Sequence, residues 1–146
     1  MLIRNILEES VRKFDEVKAV KWLKKKEIME RSYGELMENV VSTRKGLLAE
    51  GFEGKHIALI GTSSVEWMES YLGIITGCTT AVPLDAALPC EDLIDLLNRS
   101  DSVALFLSPK LKPYLDAFLE NCPKLQKVWM LQEEVEDATG KGIWYW

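Results

Sequence analysis

The sequence predicts an α/β fold in which a mostly parallel sheet is flanked by helices and preceded by a small N-terminal β-hairpin. Four short runs rich in β-branched and aromatic residues indicate buried strands at residues 57–60, 79–82, 103–107 and 127–131. These runs start 22 to 24 residues apart, and amphipathic helical patterns fill the gaps, which is typical of βαβ units. With 146 residues, 47% of them hydrophobic, the chain is long enough for one domain with a sizeable core, and we treat residues 1–146 as that domain.

Two elements are predicted before the parallel sheet. Apolar residues three and four positions apart predict a helix over residues 2–14, with Ile3, Ile6, Leu7, Val11 and Phe14 on one face. Residues 19–23 and 27–30 read as two short strands around the polar turn Lys24-Lys25-Lys26, and together they predict the hairpin.

A long helix is predicted over residues 33–50. Ser32 and Glu35 fit a capping box, in which each side chain accepts a hydrogen bond from the other residue's backbone amide. Gly51 follows the last apolar pair, where a helix commonly ends in a left-handed residue. The core face of this helix is predicted to carry Leu36, Val40 and Leu47.

Each gap between the strand runs holds an apolar stripe at helical spacing, which we interpret as core. Pro113 suits the first turn of the third helix, where its missing amide is harmless. The stripes are Met68, Tyr71, Leu72 and Ile75; Leu93, Leu96 and Leu97; and Leu111, Tyr114, Leu115, Phe118 and Leu119.

The end of the chain is predicted to be a loose tail over residues 133–146. Its first ten residues are polar and hold two glycines, as loops do. Trp144-Tyr145-Trp146 then either docks on the domain or begins a strand whose partners are absent.

Charge and cysteine content exclude several classes of function. The net charge of −5 argues against nucleic acid as a partner, because phosphate binding requires clustered Lys and Arg. The one basic cluster, at residues 24–26, is interpreted as a solvated turn. No run approaches the length of a membrane span, and the N-terminus does not resemble a signal peptide. Three widely spaced cysteines, at positions 78, 90 and 122, indicate reduced thiols in a cytoplasmic protein.

Gly61-Thr62-Ser63-Ser64 lies between a strand and a helix, where phosphate loops sit. A second capping box, Ser63 with Glu66, explains the hydroxyls without a ligand, and no complete phosphate-loop motif occurs. Gly140-Lys141-Gly142 is a weaker candidate, because no strand precedes it.

The other candidate side chains are also better explained by structure. His56 is the only histidine and has no ligand set nearby, so a structural or surface role is favoured. Cys78 and Cys90 lack the basic surroundings of a thiolate nucleophile. Three carboxylates follow the second parallel strand and could bind metal or act as bases, but helix capping is favoured; they are Asp85, Glu91 and Asp92.

Residues 20–131 resemble acyl-CoA synthetases of the adenylate-forming family. Residues 31–36 resemble that family's T-Y-x-E-L segment, and Gly51-Phe52 with Gly54-Lys55 resembles its L-G-V-x-x-G-D turn. Residues 57–67, IALIGTSSVEW, resemble V-A-I-x-x-x-N-S-x-E-W, and residues 83–89 resemble V-P-L-D-x-x-L-P. Their order and spacing make the match specific, with a lean toward the long-chain fatty acid branch.

The resemblance implies an N-terminal part of a ligase that joins an acid to CoA with ATP, Mg²⁺ and CoA as cofactors of the full-length enzyme. The sequence departs from the family in Lys55, where an aspartate is usual, and in a glycine shifted by one at Thr76-Gly77-Cys78. The Ser/Thr/Gly-rich loop ending in P-K-G does not occur in these 146 residues. No catalytic, cofactor-binding or metal-binding residue of the family is therefore placed on a position of this sequence, and the chain alone is expected to be inactive.

Two other possibilities remain open. One is a stand-alone binding or protein-interaction module, with a ligand beyond the carboxyl ends of the strands, near Gly61, Asp85 and Ser108. The other is assembly, either with the remainder of a ligase or by self-association through faces such a remainder would cover.

Overall fold

The computed structural model describes residues 2–131 and the backbone of residues 143–145. Helix α1 (Ile3–Phe14) leads into an antiparallel hairpin of β1 (Lys18–Lys24) and β2 (Glu27–Ser32). Helix α2 (Tyr33–Ala49) begins directly after β2. The predicted hairpin and both N-terminal helices are therefore confirmed.

A parallel sheet follows and forms the centre of the molecule. Its strands β3 (His56–Ile60), β4 (Thr80–Leu84), β5 (Ser102–Leu107), β6 (Lys127–Met130) and β7 (Ile143–Tyr145) lie in the order β4-β3-β5-β6-β7. All four pairings in this sheet are parallel. The connections contain α3 (Val65–Thr76), α4 (Cys90–Arg99), and a 3-10 helix (Pro109–Tyr114) continued by α5 (Leu115–Asn121). The α/β fold with a parallel sheet and an N-terminal hairpin is confirmed.

Helices cover both faces of the sheet. Since successive strand residues point to opposite sides, each central strand contributes to two separate cores. Ile57, Leu59 and Phe106 belong to a core with Leu47 of α2 and Ile74 of α3. The alternate residues of β3 and β5 join a second core with α4, the 3-10 helix and α5; it includes Ala58, Ile60, Leu105, Leu107, Leu93, Leu97, Leu111 and Phe118. A strand with both faces buried reads as an unbroken apolar run, as β3 and β5 do.

The predicted start and end of α2 are confirmed. The Ser32 hydroxyl accepts a hydrogen bond from the Glu35 amide at 3.2 Å, and the Glu35 carboxylate accepts one from the Ser32 amide at 2.7 Å. Gly51 has a φ of +76°, which glycine adopts at little cost. The amide of Phe52 donates to the Leu47 carbonyl at 3.1 Å and closes the end of the helix.

Helix α3 buries most fully a different face from the one predicted: of the predicted stripe of Met68, Tyr71, Leu72 and Ile75, Tyr71 packs against the core, but none of the four is fully buried. Those four side chains are only partly buried, whereas the buried residues of α3 include Glu69, Ser70 and Gly73. Gly73 has no side chain, and a Cβ there would lie 2.4 Å from the Cβ of Thr43 on α2. The close approach of α2 therefore selects the small-residue face of α3.

Two local predictions also need correction. The cap of α3 is Ser64, one residue later than expected, and its hydroxyl accepts from the Trp67 amide at 3.1 Å. Pro113 lies inside the 3-10 helix instead of the first turn of an α-helix. Helix α1 forms as predicted, and none of its residues is fully buried.

The end of the chain is partly different from the predicted tail. The backbone of residues 143–145 forms β7, which pairs with β6, so this segment is a strand whose partner is present. The rest of the predicted tail, including Gly140-Lys141-Gly142, lies outside the described residues. Within residues 2–131, no helix has the length and apolar character needed to cross a membrane.

Candidate functional site

The strand order creates a natural place for a ligand. The chain passes from β3 outward to β4, then returns to the other side of β3 to form β5. In open parallel sheets, the crevice beyond the carboxyl ends of two strands at such a reversal is the usual ligand position. Here it lies between the segments that follow β3 and β5, with the segment after β4 beside them.

A cleft of about 360 Å³ occupies this position. The residues predicted to lie near a ligand, Gly61, Asp85 and Ser108, all line it, so the structure brings them together as expected. The remaining lining residues are Thr62, Ser63, Trp67, Leu84, Ala86, Ala87, Lys110 and Leu111.

The floor of the cleft is a tight contact between Gly61 and Ser108. The Ser108 amide donates to the Ile60 carbonyl at 2.9 Å, which holds the two segments side by side. A Cβ added to Gly61 would lie 2.1 Å from the Ser108 Oγ, so a larger residue here would force the Ser108 side chain to move. Ser108 is buried, and its hydroxyl has no hydrogen-bond partner in the described structure. A buried hydroxyl without a partner costs stability, and it leaves a hydrogen-bonding group at the cleft unused.

One wall of the cleft is the start of α3. Because Ser64 caps the Trp67 amide, the hydroxyls of Thr62 and Ser63, both on exposed residues, are not needed for capping. The Trp67 ring stacks on Tyr71 with the centroids 5.3 Å apart and the planes 10° apart. The wall thus combines hydroxyl groups with a fixed aromatic surface.

The opposite wall carries one side chain of each charge. Asp85 accepts a hydrogen bond from the Ala87 amide through Oδ1 at 2.9 Å, so part of this carboxylate stabilises its own turn. Lys110 is exposed at the start of the 3-10 helix. Hydroxyls, one cation and an apolar lining suit a ligand with both a polar and an apolar part.

These residues do not by themselves fit Mg²⁺ or the phosphates of ATP. Within residues 2–131, no group of three His, Cys, Asp or Glu side chains is placed to hold a metal ion. The cleft supplies one lysine and a single glycine, Gly61, whereas a phosphate cradle needs several converging backbone amides. The cleft can bind and orient a ligand, but its side chains include no nucleophile with an adjacent base.

The other predicted candidates lie outside this cleft, and the contacts that they make are structural. His56 begins β3 at the opposite edge of the sheet, and its Nδ1 lies 2.6 Å from the Ser100 carbonyl, to which it donates. That edge has an open depression of about 450 Å³, but its Asp101 is already paired with Lys124. Glu91 and Asp92 occupy the first turn of α4, as the capping interpretation predicts.

The cysteines are all free thiols, as the sequence indicates. Burial raises the pKa of Cys122, and to that extent disfavours its thiolate. Burial likewise raises the pKa of Cys90, with a further contribution from the nearby Glu91 carboxylate. These shifts oppose the thiolate state that a nucleophile requires.

Trp67 and Lys110 were missed by sequence reasoning. Trp67 could have been found, because it follows the predicted loop by only three residues and helical side chains tilt toward the N-terminus of their helix. Lys110 carries no such signal, because its place depends on how the segment after β5 folds back.

Comparison with known proteins identifies the family. The family model described as "AMP-binding enzyme" matches residues 7–142. Among solved structures, the coronafacic acid ligase of Pectobacterium brasiliense is 20% identical, with a TM-score of 0.87 over 100% of this chain and 28% of that chain. The anthranilate CoA ligase AuaEII, solved with anthranoyl-AMP, is 18% identical, with a TM-score of 0.79 over 89% of this chain and 25% of that chain.

The present chain therefore spans about a quarter of the length of these two ligases. At such low identity the two structures establish the fold, and no curated protein sequence matches the chain. The family match is independent of them and covers nearly the whole sequence. The chain belongs to the AMP-binding enzyme family.

Proposed function

We propose that this chain is the N-terminal part of an adenylate-forming acyl-CoA synthetase that acts on a fatty acid in the cytoplasm. In the corresponding reaction a carboxylate attacks the α-phosphate of ATP to give an acyl-adenylate and pyrophosphate. The CoA thiol then attacks the acyl carbon and releases AMP. The proposal assigns ATP, Mg²⁺ and CoA to the complete enzyme.

The observation that carries this proposal is the five-stranded sheet, whose fold matches a CoA ligase over 89% of the chain and a second ligase over 100% of it. The family match over residues 7–142 supports it independently. The fatty acid follows from the resemblance of residues 61–67 and 83–89 to the long-chain branch. Three free cysteines fit a reducing compartment.

The chain's own role in this proposal is to build the floor and the two walls of the cleft described above. Adenylate formation develops negative charge on phosphate oxygens, which enzymes stabilise with aligned amides, basic side chains and Mg²⁺. The described cleft offers Lys110 alone among basic side chains. We therefore propose that the 146-residue chain has no ligase activity by itself.

Pyrophosphate–ATP exchange tests this proposal. The purified chain with Mg²⁺, ATP and labelled pyrophosphate is assayed with palmitate and, because of the AuaEII match, with anthranilate. We expect exchange no higher than in a reaction without acid, while a complete acyl-CoA synthetase serves as the positive control. Acid-dependent exchange by the chain alone would overturn its assignment as an inactive part.

A second candidate, a stand-alone binding module, is favoured by the unpaired Ser108 hydroxyl beside the cleft. Calorimetric titration with AMP, ATP and palmitate distinguishes the two. Saturable binding that Ser108→Ala weakens, while the variant's unfolding midpoint is kept, would support the module. Heats no larger than those of dilution would favour the scaffold role.

A further inference from the structure

The hairpin concentrates positive charge in a protein that is negative overall. Residues 18–32 contain six basic and two acidic side chains, a net charge of +4, whereas the whole chain carries −5. The rest of the sequence therefore carries more negative charge than the net charge of the whole chain suggests. Such segregation creates a local positive field on one projecting element.

The turn of this hairpin has a geometry that lysine does not favour. Lys24 pairs with Glu27, so the turn consists of Lys25 and Lys26 alone. Their φ angles are +48° and +71°, which defines the turn class that ordinarily takes Asn-Gly or Gly-Gly. Lysine has no conformational advantage at either position. The strained backbone of these two residues therefore indicates that their charges have a functional role.

Two apolar side chains stand beside these lysines. Leu23 and Ile28 are direct partners across the hairpin, and each is 71% exposed. Cross-strand partners share one face of a hairpin, so the two side chains form a single apolar pair. We call residues 23–28, which include this pair and the lysines of the turn, the hairpin tip.

The hairpin is anchored to the body of the protein through its other face. The Arg31 guanidinium lies 5.4 Å from the centroid of the Trp22 ring and forms a salt bridge with the buried Glu69 of α3. These contacts fix the base of the hairpin against α3.

We propose that the hairpin tip docks on an anionic lipid surface. Lys24, Lys25 and Lys26 meet the phosphate and carboxylate groups of the lipids, and the Leu23–Ile28 pair enters the headgroup boundary. Polybasic segments gain affinity from negative lipid surfaces, and neighbouring apolar side chains add to it. Two projecting side chains offer far less area than a stable protein interface needs, and nucleic acid would leave the apolar pair in water. This proposal does not depend on the ligase assignment.

Vesicle flotation of the full 146-residue chain tests the proposal. We use vesicles of phosphatidylcholine alone and vesicles with about one third phosphatidylserine. We expect binding only to the anionic vesicles, and we expect it to weaken strongly between about 0.05 and 0.5 M salt, because salt screens exposed charges. Leu23→Ser/Ile28→Ser should reduce the binding constant several-fold without changing the circular dichroism spectrum.

Lys25→Asn/Lys26→Gly separates docking from folding. These residues suit the turn, so thermal unfolding should shift upward or stay unchanged, while vesicle binding should fall about tenfold or more. Lys45→Gln/Lys55→Gln removes the same charge from exposed positions outside the hairpin and should keep most of the binding. The proposal is overturned if the chain does not bind anionic vesicles or if Lys25→Asn/Lys26→Gly binds as well as the original protein. It is also overturned if Lys25→Asn/Lys26→Gly and Lys45→Gln/Lys55→Gln lose binding equally.

Discussion

At the residue scale, Glu69 has the most unusual environment in the described part of the chain. It is the one buried side chain there among the Asp, Glu, His, Lys and Arg residues, with 1% of its surface exposed. It accepts hydrogen bonds from the Asn39 amide nitrogen at 3.0 Å and from Arg31. Burial nevertheless raises the pKa of Glu69, because loss of water outweighs the two hydrogen bonds and the Arg31 charge. Replacement of Glu69 therefore tests whether the loss of water or the pairing with Arg31 and Asn39 has the larger effect on its pKa.

We predict that the stabilising effect of Glu69 depends on pH with a definite sign. A carboxyl group with a raised pKa binds its proton more tightly in the folded protein than in the unfolded chain. Its contribution is fully present below its ordinary pKa of about 4.3 and is lost as the pH rises through the raised value. The free energy of unfolding of the original protein, minus that of Glu69→Gln, should therefore decrease from pH 4 to pH 8.

Urea denaturation of both proteins at several pH values measures this difference. Glu66→Gln, on the same helix but not fully buried, controls for the loss of one negative charge. A difference that grows with pH would show instead that Arg31 holds Glu69 charged and lowers its pKa.

At the element scale, the packing of α2 on α3 explains why one helix face was predicted correctly and the other was not. Leu36, Val40 and Leu47 of α2 are buried as predicted, because polar residues separate the apolar positions of that helix clearly. Helix α3 has apolar residues around most of its circumference, so their spacing does not select a face. The choice depends on the fit of Gly73 against Thr43, which is a tertiary property that a sequence pattern does not contain.

Two glycine substitutions on these helices should change stability in opposite directions. Gly73→Ala places a methyl group 2.4 Å from the Thr43 Cβ and 3.1 Å from the Val40 carbonyl oxygen. Forcing the helices apart should lower the free energy of unfolding by about 1–3 kcal/mol. This loss should exceed the gain from the higher helix propensity of alanine. Gly46→Ala on α2 has nothing within 4 Å and should gain about 1 kcal/mol.

Chemical denaturation of the two variants gives the comparison directly. The same substitution is made on two adjacent helices, so the difference isolates the close contact. Equal stabilisation of both variants would show that α2 and α3 can separate without cost.

At the scale of the whole molecule, the position of the cleft could be predicted and its chemistry could not. Carboxyl ends of parallel strands meet at one edge, so regular βαβ spacing was sufficient to bring Gly61, Asp85 and Ser108 together. The unpaired state of the Ser108 hydroxyl arises from the contact between the segments after β3 and β5. These segments are 47 residues apart in sequence, and no local pattern reports their separation in space.

The surface of the molecule also carries apolar side chains that its own fold does not cover. On α1, Ile3 and Ile6 are each about half exposed, and apolar surface of this kind favours association. The two ligases with the same fold are about four times longer than this chain, so most of each lies outside the matched unit. We expect the isolated chain to associate reversibly through α1.

Light scattering after size exclusion, over a range of protein concentrations, tests this expectation. The average mass should rise above that of the monomer as the concentration increases, since burying apolar area stabilises the associated form by roughly 25 cal/mol per Å². Ile3→Ser/Ile6→Ser should weaken the association strongly, because two of the exposed apolar side chains of α1 become polar. Leu48→Ser, at a similarly exposed position on α2, should leave the association unchanged. A monomer mass at all concentrations, or equal loss of association in both variants, would show that the exposed face of α1 does not drive assembly.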